Sequence, residues 1–109
     1  IKKIYQNEIE VLPDTQYWCR EVVLYGDDIP WVAARTLISI PLLNDYQELL
    51  QLGNMPIGEW LFKQKLERQK MQWSLDKNTQ RYARRSLFLI QQMPLLITEL
   101  FLENSPITR

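Results

Sequence analysis

Two parts of this chain permit little except an antiparallel return. "YWCREVVLYG" and "PWVAARTLISI" are rich in aromatic and β-branched residues, which suit a pleated, half-buried surface, and little more than "GDD" at Gly26 to Asp28 separates them. "RYARRSLFLIQ" and "MPLLITELFL" repeat the arrangement around Gln91 to Met93. Turns this short close β-hairpins, whereas parallel neighbours need a crossover of about a dozen residues. Two hairpins are therefore expected.

The segments between them read differently. Pro41 ends the second strand, and "LLNDYQELLQLG" then carries Leu42, Leu43, Tyr46, Leu49 and Leu50 before a closing Gly53, the spacing and stop of an amphipathic helix. "PIGEWLFKQ" gives a second short helical piece, with Gly58 near its start. Lys65 to Leu75 reads as a strand that "DKN" turns, and Ile1 to Thr15 as a short strand or extended arm with a polar loop ending at Pro13. Strands outnumber helices and most are joined by short turns. The expected fold class is α+β, an antiparallel β-sheet with helices packed on one side. At 109 residues, without repeat or linker, residues 1–109 are expected to form one domain.

Composition narrows the chemistry. Thirteen Lys plus Arg balance thirteen Asp plus Glu, so no overall field recruits nucleic acid or an anionic membrane. The chain has no histidine, which removes the usual general base, the Ser-His and Cys-His nucleophile pairs and the commonest metal ligand. Any chemistry has to run on carboxylates, arginines, backbone amides and the reactivity of the substrate. The lone Cys19 cannot form an internal disulfide. No run approaches the roughly 20 apolar residues that cross a bilayer. The chain opens at Ile1 directly in "IKKIYQNEIEVLP", without a starting methionine, so a further segment is expected upstream.

Strand side chains alternate between faces. Trp18, Arg20, Val22 and Leu24 share one face of the first strand, and Trp31, Ala33, Arg35, Leu37 and Ser39 one face of the second. In the last strand Leu95, Ile97, Glu99 and Phe101 go together, and Glu99 is the only charge in the nine residues from Pro94 to Leu102. Burying a charge is costly unless it is paired or employed. A pocket walled by Trp and Leu, with arginine forks at one end and a carboxylate at the other, would suit a small aromatic or cyclic acid. The alternative is that Arg20 or Arg35 pairs with Glu99 or Glu21 in a structural bridge, with the tryptophans as core. Arg81, Arg84 and Arg85 split between the faces of a strand and read as a solvated edge.

The ordered series "YWCREVVL", "PWVAARTLI", "LGNMPIGEWLF", "RRSLF" and "PLLITELFLENSP" resembles the chorismate–pyruvate lyase family of ubiquinone biosynthesis, in order from about Tyr17 to Pro106. The resemblance implies conversion of chorismate to 4-hydroxybenzoate and pyruvate, without metal or organic cofactor, by a cytoplasmic monomer with a buried ligand site under helical flaps. By the same resemblance Arg20 and Glu99 are the expected catalytic residues. Arg20 would hold the ring carboxylate and Glu99 would meet the hydroxyl at the far end of the product. Ile57, in "MPIG", would bind the carboxylate through its backbone N–H, and Arg35 would line the site as partner of the enolpyruvyl carboxylate. Ala34 departs from a glycine in the best-known bacterial member. The family also carries a helical segment ahead of the first block, so the domain is expected to be truncated at its N-terminus. Two other readings compete: a non-catalytic sensor of small carboxylates with this fold, as in transcription regulators, and an inactive lyase fragment.

Overall fold

The computed structural model describes residues 16–65, 67–76 and 80–103. The arm expected over residues 1–15 and the turn at 77–79 lie outside them. The expected hairpins are present. β1 (Tyr17–Gly26) pairs antiparallel with β2 (Ile29–Ser39) across a turn in which Asp27 and Asp28 both take positive φ. Positive φ at both central positions is the geometry that matches the twist of a tight hairpin, and Asp tolerates it better than most residues. β4 (Arg81–Ile90) and β5 (Met93–Phe101) close in the same way over Gln91 and Gln92.

All neighbours in the five-stranded sheet are antiparallel, in the order β1-β2-β5-β4-β3, with β3 (Glu67–Asp76) at the far edge. β5 therefore sits in the middle. This explains "PLLI": Leu95 and Leu96 point to opposite faces, and both are buried. β2 precedes β3 in sequence but lies near the opposite edge, so the connection between them has to cross the sheet. It carries the helices, and it makes the roof of the site.

That connection is less regular than its apolar spacing predicts. In place of one helix from Leu42 to Gly53, a short α1 (Ile40–Asp45) stops at Tyr46 and a 3-10 turn runs from Gln47 to Gln51. Pro41, in the first turn of α1, needs no hydrogen bond there. Tyr46 leaves helical geometry while its N–H still reaches the Leu42 carbonyl at 3.0 Å, and its ring meets Trp60 edge-on with centroids 5.3 Å apart. Tertiary packing has overridden helical continuity at this point. Gly53 then turns the chain at φ 59°, a conformation glycine adopts at little cost. α2 (Gly58–Leu61) is a single turn with Trp60 and Leu61 buried, and Trp60 Nε1 donates to Glu48 Oε2 at 3.2 Å.

Two apolar clusters flank the sheet. On the helical side Ile38, Leu42, Leu49, Trp60, Leu61 and Leu95 form the larger one. Tyr17, Leu37, Leu87 and Leu96, with Cys19 against them, form the smaller one on the other face. Leu37 and Ile38 are consecutive in β2 and both are 0% exposed, so both faces of that strand are buried at this point.

Candidate active site

The face of the sheet beneath α2 supplies the floor of a cavity of about 270 Å³. Its floor crosses four strands. Arg20, Val22 and Leu24 come from β1, Ala34 and Thr36 from β2, Ile97 and Glu99 from β5, and Arg84, Ser86 and Phe88 from β4. Pro56, Ile57, Gly58, Leu61 and Phe62 close it from above. Phe62 is 88% exposed although it lines the cavity, which places it at an open mouth.

Arg20, Ile57 and Glu99 are thus brought together as expected, but Arg35 is not. Register decides this: Arg20 stands opposite Thr36, and Ala34 opposite Glu99, so Arg35 points away from the cavity. It lies on the other face, where its NH1 pairs with Glu21 Oε2 at 3.3 Å. A bulge in the first hairpin, where Leu24 opposes Val32 and Tyr25 opposes Pro30, leaves Trp31 as the extra residue. The indole of Trp31 lies against Gly26, where a Cβ would collide with the ring. The expected tryptophan walls are also absent, since no tryptophan lines the cavity; aliphatic residues and phenylalanine do.

The second arginine in the cavity is Arg84. Its Nε donates to Glu99 Oε1 at 2.8 Å, and its NH2 pairs with the same oxygen at 2.7 Å. Reading Arg81, Arg84 and Arg85 as a solvated edge missed this pairing. A two-residue turn at Gln91 and Gln92 would have revealed it, because counting back from Ile90 opposite Met93 puts Arg84 opposite Glu99. Placing the turn only loosely around Gln91 to Met93 leaves that parity open.

Arg20 is held differently. It is buried, 7% exposed, and its NH2 donates to the carbonyls of Gly53, at 2.8 Å, and Met55. Loss of hydration pushes its pKa below the usual arginine value. Among the described residues no carboxylate meets Arg20, and both of its bonds use NH2. Nε and NH1 have no hydrogen-bond partner among these residues. The backbones of Arg20 and Glu99 lie two strand spacings apart and two residues out of register, about 12 Å by sheet geometry. Among the described residues no group of His, Cys, Asp and Glu gathers as metal ligands.

A profile of the chorismate lyase family matches residues 2–109. The chain belongs to the chorismate lyase family. It is 46% identical over 112 residues to a probable chorismate pyruvate-lyase of Pasteurella multocida, covering 100% of this chain and 66% of the relative. Against the chorismate pyruvate-lyase of Pectobacterium carotovorum the identity is 43%, over 87% of this chain and 54% of the relative. Against that of Photorhabdus laumondii it is 44%, over 94% and 60%. The chain thus spans between 54% and 66% of the length of these chorismate lyase family members. No helix among the described residues is long and apolar enough to cross a membrane.

Ala34, on the cavity floor opposite Glu99, tests the geometry of the site. Ala34→Val keeps a residue suited to strands but adds two methyl groups to the floor, and should weaken binding of a ring-sized acid about tenfold, or about 1.4 kcal/mol. Titration calorimetry beside a urea melt would separate this from a loss of fold.

Proposed function

We propose that this chain forms the ligand-binding body of a cytoplasmic, monomeric chorismate–pyruvate lyase that works without metal or organic cofactor. One observation carries the reading: a buried arginine whose Nε and NH1, and a glutamate whose Oε2, have no hydrogen-bond partner among the described residues line one apolar cavity from strands two apart in the sheet. Family membership and the names of the relatives support the same chemistry.

In the proposed reaction the bond between the ring and the enolpyruvyl oxygen breaks. The ring carbon that bears the hydroxyl gives up its proton, and pyruvate leaves as its enol, which becomes the keto acid. The ring becomes aromatic, so the driving force resides in the substrate. The protein's task is to orient that ring and to stabilise charge moving toward the ether oxygen. Arg20 holds the ring carboxylate with Nε and NH1, and the backbone N–H of Ile57 assists. Glu99 accepts the hydroxyl at the opposite end through Oε2. Apolar walls from Val22, Leu61, Phe88 and Ile97 keep water from the ring.

Glu99→Gln tests the hydroxyl end. The amide retains the shape but accepts more weakly, so turnover of chorismate and affinity for 4-hydroxybenzoate should each fall about tenfold, the loss of one charge-assisted hydrogen bond. Unchanged turnover and affinity in this variant would remove Glu99 from the site.

A further inference from the structure

Arg84 is the charged group of the cavity that the proposed reaction leaves without a task. Its guanidinium does not bridge the two carboxylate oxygens of Glu99. Both donors, Nε and NH2, converge on Oε1. Among the described residues no hydrogen bond or ion pair reaches Oε2. The fork is itself held in place: the Arg84 guanidinium carbon lies 5.4 Å from the ring centroid of Trp73 and 5.6 Å from that of Phe101. These rings stack on each other with centroids 5.6 Å apart. Trp73 stands directly across from Arg84 on β3, as Glu99 does on β5. Three adjacent strands thus place an aromatic pad, a cation and a carboxylate side by side on one face of the sheet, with the cation and the carboxylate at the cavity and the pad outside it.

An isolated carboxylate in a strand can rotate and present either oxygen. One whose Oε1 is held by a charge-assisted hydrogen bond and a close ion pair cannot do so without giving up both. Stacking on Trp73 and Phe101 restricts the guanidinium in turn, and arginine suits this arrangement because its planar fork can stack and donate at once. We infer that Arg84 is a positioning residue that fixes Glu99 with Oε2 turned to the cavity, and so gives the site its preference for ring acids carrying a hydroxyl opposite the carboxylate. This rests on the ligand chemistry proposed above. Arg84 acts through Glu99; Arg20 anchors the carboxylate common to ligands with and without the hydroxyl. Removing Arg84 should therefore lower discrimination more than it lowers binding of a plain acid.

The experiment compares 4-hydroxybenzoate with benzoate by titration calorimetry. In the unsubstituted chain the hydroxy acid should bind more tightly. In Arg84→Gln that preference should shrink about tenfold, with benzoate affinity changed less than about twofold. Arg84→Lys keeps the charge but not the fork and should recover part of the preference. Trp73→Leu, which leaves both Arg84 and Glu99 in place, should lose part of it. In a Glu99→Gln background, Arg84→Gln should change the preference no further, because the two residues act as one unit. Should neither acid bind the unsubstituted chain, the lyase reading fails and this inference with it. If both bind but the preference survives in folded Arg84→Gln and Trp73→Leu variants, or if benzoate binding falls as far as that of the hydroxy acid, the positioning role alone is overturned.

Discussion

Arg20→Ala should reduce affinity for 4-hydroxybenzoate about 100-fold or more. The ligand carboxylate would enter a buried site stripped of its cation, and breaking a buried pair in this way costs about 3–5 kcal/mol. The variant should also lose some stability, because the Arg20 NH2 group supports the carbonyls of Gly53 and Met55 in the roof of the cavity. Gly53 and Met55 are exposed residues, so water can meet those carbonyls and the loss should stay at about 1 kcal/mol. Arg20→Lys separates the two losses. A lysine keeps the charge but presents a point rather than a fork, so it should retain part of the affinity at a stability close to that of alanine. Titration calorimetry gives the first quantity and urea unfolding the second. Affinity unchanged in Arg20→Ala would place the carboxylate elsewhere.

The largest loss of stability is expected from Leu95→Ala. Leu95 is fully buried in the central strand, opposite Ile38 on one side and Phe88 on the other, with the helical connection packed above it. Truncating such a side chain removes about 2–5 kcal/mol, a large share of the roughly 5–15 kcal/mol that stabilises a small domain. Leu75, on the edge strand and exposed, is the contrast, and Leu75→Ala should stay within about 0.5 kcal/mol of the parent. Urea unfolding of the two variants checks this. A cost below about 1 kcal/mol at Leu95 would mean that β5 is not the centre of the sheet.

These two residues also mark what was legible in the sequence. The α+β class and the hairpins follow from alternation and turn length, because short returns leave few topologies. Arg20 and Glu99 could be singled out because each interrupts an apolar strand face. Arg35 interrupts one too, and there the same logic failed. Leu37 and Ile38 are both fully buried, so hydrophobicity in β2 does not say which face is which, and the bulge at Trp31 hides the parity from a count across the turn. Arg84 is hidden in the sequence for a related reason. Beside Arg85 it reads as surface charge, and only the pairing of Arg84 with Glu99 and Arg85 with Thr98 sends the two to opposite faces. The break at Tyr46 depends on Trp60, a contact fourteen residues away in sequence that local periodicity cannot register.

The most direct measurement mixes the purified chain with chorismate and follows 4-hydroxybenzoate by its ultraviolet absorbance, with Arg20→Ala beside it. The proposed function predicts product from the unsubstituted chain and its loss in the variant. A folded chain that forms no 4-hydroxybenzoate and does not bind it would contradict the account.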